Sequence, residues 1–337
     1  MRISGKIVTI GLCPCWDMVC RLEGVDWGQH KVISSASSRP AGKALNISRA
    51  LAWMGTKSTA AGLWGREDYE QMLKAMRPLR GLIKVKMTAI DGSTRWNITV
   101  VDTVNNREMH LRAVSRLASK KALRKLKADL QATVNGNSVC VFAGSMPEKR
   151  FWDDVVRIIN CCRRCGARIA LDTSGDALRE IVNSGPANPS CRIWLIKPNV
   201  EELCELLGEQ IEDRPAGLAK AGRKLLDKVE IILISRGKKG SVVVTKKGAW
   251  QGQACTPPAF LRKQEGGCAS RRRVLSTVGC GDYLLAGFLK GLKDKTDPGF
   301  ALETAIKVAT AKAWGWTEKM AWEDAEKRIE VSLRERK

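Results

Sequence analysis

The chain has 337 residues, 44% of them apolar, and carries 58 Lys and Arg against 35 Asp and Glu, a formal net charge of +23. That length buries a sizeable core in one large domain or two smaller ones, and no apolar run reaches the roughly 18 residues of a membrane-spanning helix, so an ordinary globular protein with no membrane partner is expected. With two histidines only, His30 and His110, a His-based triad or His-rich metal site has little to draw on, and catalysis would fall to carboxylates, lysines and backbone amides.

From Lys6 to Leu12 the alternation of Ile and Val predicts a buried first strand rather than a signal peptide. It runs into Cys13-Pro14-Cys15-Trp16-Asp17, and Asp17 at the strand end either faces a ligand or caps a turn. Short β pieces follow between Met18 and Ser38. The segment from Pro40 to Leu51 then opens an amphipathic helix in which Gly42 allows close backbone approach, Lys43 offers an ammonium to a phosphate, and Asn46 both donates to and accepts from hydroxyls. A strand is expected over Ser58 to Leu63 and a helix over Tyr69 to Met76. Strands at Val85 to Ile90, Arg95 to Asp102 and Arg107 to Leu111 are joined by Asp91-Gly92 and Asn105-Asn106 turns. Arg95 suits bidentate phosphate binding, or is a surface residue of an edge strand.

The Lys/Arg cluster of the helix from Ser119 to Ala132 reads as a solvated face. Ser138 to Ala143 is a buried parallel-type strand that ends in Gly144-Ser145-Met146-Pro147, where Ser145 binds a ligand or caps the next helix, near Phe151. That helix stops at Cys165-Gly166. Cys161, Cys162 and Cys165 fall on its pattern, with no second pair at zinc spacing. The 12 cysteines form no framework, so reduced thiols and a cytoplasmic location are expected. The strand Arg168 to Leu171 delivers Asp172-Thr173-Ser174-Gly175-Asp176-Ala177-Leu178, and Ile193 to Ile196 delivers Lys197-Pro198-Asn199-Val200-Glu201-Glu202. Asn199 and Glu202, three apart at a helix start, organise a metal or form a capping box. Ile231 to Ser235 ends in the basic loop Ser235-Arg236-Gly237-Lys238-Lys239-Gly240, and a hairpin spans Val242 to Gln253. The basic stretch Pro257 to Val274, with Arg271-Arg272-Arg273, is a flap or a solvated insert. An apolar helix over Pro298 to Trp314 and a peripheral helix from Trp322 to Lys337 close the chain.

The organising stretch is Ser276-Thr277-Val278-Gly279-Cys280-Gly281-Asp282, followed at once by the helical run Tyr283 to Leu289. Glycines let the backbone approach an anion, and the new helix leaves its first N–H groups unpaired. The amides of Gly279, Cys280 and Gly281 can stabilise charge on a transferring group while Asp282 takes a proton from a hydroxyl. In isolation the same pattern also makes a turn with an N-capping Asp.

In order, these motifs resemble the PfkB family of carbohydrate kinases, of ribokinase-like fold, over roughly residues 7 to 315. The signature Asp-Thr-x-Gly-Ala-Gly-Asp is matched with Ser276 and Cys280 as small departures, and Gly-Gly-Lys-Gly-x-Asn is matched at Gly42, Lys43 and Asn46, with Ala41 and Ala44 in place of glycines. Asp172 to Leu178 is similar to the Asp-Thr-Ser-Gly-Glu-Ala-Leu of the branch that includes 1-phosphofructokinases and tagatose-6-phosphate kinases. The resemblance implies a three-layer α/β/α domain over residues 1–337 with a small β lid from segments 18–39 and 85–111, and ATP and Mg²⁺ as cosubstrate and cofactor. It implies Asp282 as base, and an acceptor sugar phosphate held by Asp17, Gly42, Lys43, Asn46, Arg95 and Ser145. The nucleotide would lie on Lys197, Asn199, Ser235, Gly237, Gly240 and Thr277, and Mg²⁺ on Asn199 and Glu202 through water. A homodimer through the lid is a further expectation, and nucleic acid is not an expected partner. Two other readings stay open: a kinase for an unphosphorylated sugar or nucleoside, allowed by Ala41 and Ala44, and a retired kinase scaffold whose positive charge binds polyanions.

Overall fold

The structure is a computed structural model describing residues 2–184, 192–255 and 277–336. Its large sheet has ten strands in the order Val331–Arg336, Gly248–Ala254, Ser241–Thr245, Val229–Ser235, Ile193–Ile196, Arg168–Asp172, Val139–Ala143, Ile7–Gly11, Ser58–Gly65 and Ile83–Ile90. Neighbours are parallel from Val229–Ser235 to Ile83–Ile90, and the first three strands are antiparallel additions at the other edge. Parallel strands need crossover connections that cover both faces, which explains runs such as Ile7–Gly11 and Val139–Ala143 that are buried at every position.

Side-chain alternation divides these strands between two cores. Val8, Ile10, Cys140 and Phe142 pack against the helices Lys120–Gln131, Trp152–Arg164, Gly175–Asn183, Val200–Leu207 and Pro215–Arg223. Ile7, Val139 and Val141 pack against Lys43–Trp53, Cys280–Asp294 and Pro298–Ala313 on the other face. The architecture is therefore the expected three-layer α/β/α sandwich. One close approach fixes its floor. Gly62 has φ +132°, and a Cβ there would fall 2.0 Å from the carbonyl oxygen of Gly11 on the neighbouring strand.

A separate sheet of four strands, Ser35–Ala41, Cys15–Leu22, Trp96–Asp102 and Arg107–Arg112, forms the lid. Trp16 of the lid stacks on Trp96 with ring centroids 5.6 Å apart and meets Trp64 of the large sheet edge-on at 5.8 Å. The indole N–H groups of Trp16 and Trp64 both donate to the carboxylate of Asp68, which ties the lid to the body.

Two sequence expectations need adjustment. The segment from Val85 to Ile90 joins the large sheet beside Ser58–Gly65, where Ile83 and Met87 pack with Met72 and Met76 of the helix Tyr69–Met76. Only the part from Trp96 onward enters the lid. The tail is a helix over Trp322–Arg328 and then a strand, Val331–Arg336, on the edge of Gly248–Ala254. Backbone pairing with that edge outweighs the helical preference of its charged residues.

Candidate active site

Gly279 stands in the left-handed region with φ +79° and is the N-cap of the helix Cys280–Asp294, a conformation glycine adopts without the Cβ penalty. The Cys280 N–H closes the turn onto the Thr277 carbonyl at 3.3 Å. The Gly279 and Gly281 N–H groups have no protein acceptor among the described residues. Ser276 and the basic stretch from Pro257 to Val274 lie outside the described residues.

Asp282, in the first turn, is 5% exposed, and its Oδ2 accepts a 2.8 Å bond from Asn46 Nδ2. Burial, then the nearby charge of Asp172, raises its pKa to about 7, against the opposing effects of Asn46, Lys43 and Lys197. A carboxylate poised there is a competent proton acceptor near neutrality.

Beneath it lies a group whose role sequence reasoning missed. Asp172, fully buried at the end of the strand Arg168–Asp172, takes Lys43 Nζ at 2.9 Å and Lys197 Nζ at 3.3 Å on its Oδ1. Among the described residues its Oδ2 has no hydrogen-bond partner. Burial works against the Lys43 ammonium, but Asp172, with Asp282 and Glu202 behind it, more than compensates and holds its pKa above the usual lysine value. Lys197 also stands against the anion loop: a Cβ on Gly281 would lie 3.4 Å from its Nζ. The signal available in the sequence was three strand ends, each followed by a charged residue, in a sheet whose carboxyl edge binds ligands.

Gly42, the N-cap of Lys43–Trp53 with φ +110°, is the position of that segment that requires glycine. Ala41 pairs within the lid strand opposite Cys15, and Ala44 lies inside the helix, both without positive φ. The two alanines therefore impose no backbone strain on the turn.

Between lid and body opens a cavity of about 900 Å³ that Asp17, Gly42, Lys43, Asn46, Arg95, Ser145, Gly279 and Asp282 all reach. Asp17 Oδ1 accepts from the Cys15 thiol and from Asn97 Nδ2, each at 3.3 Å. Arg95 is held by backbone: Nε donates to the Pro14 carbonyl, Nη1 to Ala113 and Nη2 to Cys13. Two of its five N–H groups are left for a ligand.

Thr277, Cys280 and Gly281 belong to the turn that opens Cys280–Asp294, and the other candidates lie at the ends of Ile193–Ile196 and Val229–Ser235. Asn199 and Glu202 form a complete capping box: Asn199 Oδ1 accepts the Glu202 N–H at 2.7 Å, and Glu202 Oε2 accepts the Asn199 N–H at 2.9 Å. Asn199 also bridges to Ser235. In the loop that follows, Gly237 and Gly240 have positive φ, and Gly240 comes so close to Gly252 that a Cβ would lie 2.0 Å from its carbonyl oxygen. Arg236 and Lys239 of this loop both bind Asp213. Among the described residues no three His, Cys, Asp or Glu side chains gather as a metal cage. The capping box engages Glu202 Oε2 and leaves Oε1 as a carboxylate oxygen, and the carboxylate's charge helps raise the Lys43 pKa; such a donor set fits a hydrated Mg²⁺ bound chiefly by substrate phosphates.

No helix among the described residues is long and apolar enough to cross a membrane. Among solved structures, Escherichia coli phosphofructokinase-2 in complex with potassium superposes with a TM-score of 0.82 at 20% identity, covering 98% of each chain. The same protein in complex with fructose-6-phosphate gives 0.79 at 20% identity, again covering 98% of each chain. In sequence, the 1-phosphofructokinase of Haemophilus influenzae is 26% identical over 309 residues, 91% of this chain and 89% of that one. The 1-phosphofructokinase of Borreliella burgdorferi is 31% identical over 274 residues, 80% and 78% of the two chains. The pfkB family carbohydrate kinase profile matches residues 4–314, and the chain belongs to that family of carbohydrate kinases.

Proposed function

We propose that this carbohydrate kinase transfers the γ-phosphoryl group of ATP to a hydroxyl of a ketohexose phosphate, in the manner of a 1-phosphofructokinase. The observation that carries the reading is Asp282: a buried carboxylate with a pKa near 7, oriented by Asn46, at the head of a helix whose loop offers the Gly279 and Gly281 amides. The similarity to several 1-phosphofructokinases supports the acceptor class.

Asp282 accepts the proton of the attacking hydroxyl, and the loop amides meet the negative charge of the phosphoryl group in transit. Lys43 and Lys197, both oriented by Asp172, add positive charge on the acceptor and nucleotide sides. Asp17 and Asn46 orient the sugar, with Gly42, Lys43, Ser145 and the free N–H groups of Arg95 around the acceptor. Thr277, Asn199, Ser235 and the Gly237–Gly240 turn border the nucleotide. Mg²⁺, held through water by Glu202 with Asn199 orienting that carboxylate, would supply charge neutralisation on the ATP phosphates.

The test is an acceptor panel with ATP: fructose 1-phosphate, fructose 6-phosphate, tagatose 6-phosphate, free fructose and a nucleoside. A ketohexose phosphate is expected to give the highest kcat/KM. Preference for a free sugar would remove the acceptor assignment, and salt-dependent nucleic-acid binding without ATP turnover would remove the kinase reading altogether. For assembly, the exposed Val32, Ile33, Met109 and Val114 around the lid support a homodimer through that sheet. Sedimentation velocity is expected to give a dimer, and a monomer at micromolar concentration would count against it.

A further inference from the structure

A lysine stands at each end of the glycine turn that opens Cys280–Asp294. At the Gly281 end it is Lys197, whose Nζ would lie 3.4 Å from a Cβ on that glycine. At the Gly279 end it is Lys312, whose Cε would lie 3.9 Å from a Cβ there. Lys312 belongs to the last turn of the helix Pro298–Ala313, which packs along Cys280–Asp294, and it lines the cavity together with Gly279 and Asp282. Its Nζ is 5.4 Å from the centre of the Tyr283 ring, and its charge favours the Cys280 thiolate against the larger effect of burial.

The Lys312 side chain is only 16% exposed, yet nothing grips its ammonium. Its one ion pair among the described residues is with Glu318, at 3.7 Å, beyond hydrogen-bond reach, and that carboxylate is itself 72% exposed, so water screens the pair. Lys43 and Lys197, by contrast, both rest on Asp172. A cation in the last turn of a helix gains from the helix dipole, but that gain needs no burial, and a lysine stem ordinarily carries its head out to water. An ammonium kept from water next to the unpaired amide of Gly279 gathers donors without an acceptor. An anion seated there satisfies both.

We propose that Lys312 is a further catalytic residue of phosphoryl transfer, binding the γ-phosphoryl group with the Gly279 amide so that the group in transit passes between the ammonium groups of Lys312 and Lys197. This rests on the ATP-dependent kinase reading and adds a residue to its machinery. In the step itself the acceptor oxygen bonds to the γ-phosphorus, and the bond from that phosphorus to the β–γ bridging oxygen breaks. The bridging oxygen keeps the electron pair and leaves as part of ADP, while the hydroxyl proton passes to Asp282. Lys312 exchanges no proton; it offsets charge on the non-bridging oxygens of the group being transferred.

The experiment compares wild type with Lys312→Met, which keeps much of the stem and removes the charge, Lys312→Arg, which restores the charge, and Glu318→Gln, which removes only the ion-pair partner. It measures kcat and the KM for ATP with fructose 1-phosphate or whichever acceptor of the panel is preferred, calorimetric binding of ADP with and without aluminium fluoride in the presence of Mg²⁺ and that acceptor, and the Tm of the ligand-free protein. Lys312→Met is expected to lower kcat about a hundredfold, the usual loss for one oxyanion donor, with the KM for ATP within about threefold. It should weaken the complex of ADP with aluminium fluoride, which mimics the group in transit, by a similar factor, and leave ADP alone within about threefold. Its Tm should equal or exceed that of wild type, because a charge is no longer held out of water without a partner. Lys312→Arg is expected to recover at least about tenfold in kcat, and Glu318→Gln to stay within about threefold of wild type. If wild type is active and Lys312→Met turns over equally well, or loses ADP affinity as much as it loses kcat, the Lys312 assignment alone is overturned. A lowered Tm with the same loss of kcat in Lys312→Met, Lys312→Arg and Glu318→Gln would make the residue a packing element and overturn it too. If wild type transfers no phosphoryl group from ATP to any acceptor of the panel, the kinase reading fails and takes Lys312 with it.

Discussion

Asp282→Asn is expected to reduce kcat at least about a hundredfold while leaving the fold intact, because general-base terms are commonly of that size. The amide is isosteric and its oxygen can still accept the Asn46 bond, so what is removed is the proton acceptor and its charge. Stability should move the other way. The folded-state pKa of Asp282 is raised above its unfolded value, so its contribution to stability is fully present below pH 4 or so and is lost as pH rises through about 7. At pH 8 the wild-type protein holds a buried carboxylate at a cost that the variant does not bear. The Tm of Asp282→Asn at pH 8 should equal or exceed that of wild type, and near-normal turnover in a well-folded variant would remove Asp282 from the role of base.

Asp172→Asn should have a comparably large effect, on stability and on pH dependence together. Removing the buried charge leaves Lys197, 5% exposed, without its counter-ion, and deprives Lys43 of its strongest partner. Breaking a buried pair in this way costs about 3 kcal/mol, the low end of the usual range because Lys43 retains access to water. Urea unfolding measures it. The same change takes a like charge away from Asp282 and leaves two ammonium groups free to favour its ionised form. The acid limb of kcat/KM, which reports the free enzyme, is expected near pH 7 in wild type and about one unit lower in Asp172→Asn. A limb that stays in place would mean that Asp172 does not tune Asp282.

Much of this was legible in the sequence because it is local. Buried strands are continuous apolar runs, the helix Tyr69–Met76 carries its own periodicity, and a glycine-lined turn feeding into a helix announces Asp282. What escaped is non-local. Lys43 and Asp172 are 129 residues apart in the chain, and nothing in either neighbourhood states that one lies on the other. Arg95 reads as a free phosphate ligand until three backbone carbonyls are seen to hold it. The pair Asn199 and Glu202 was ambiguous between metal support and capping, and the capping box is formed, with one carboxylate oxygen to spare. The tail strand and the membership of Ile83–Ile90 in the large sheet depend on which edge was available, a property of the assembled sheet.

The contact between Asn46 and Asp282 closes a sequence separation of 236 residues. With Asp282 as the proposed base and Asn46 orienting it, turnover is expected to require residues from both ends of the polypeptide to have met, so a chain lacking its last quarter is expected to be inactive. During refolding, recovered enzymatic rate then clocks the final long-range closure, lagging behind any optical signal from earlier helix formation.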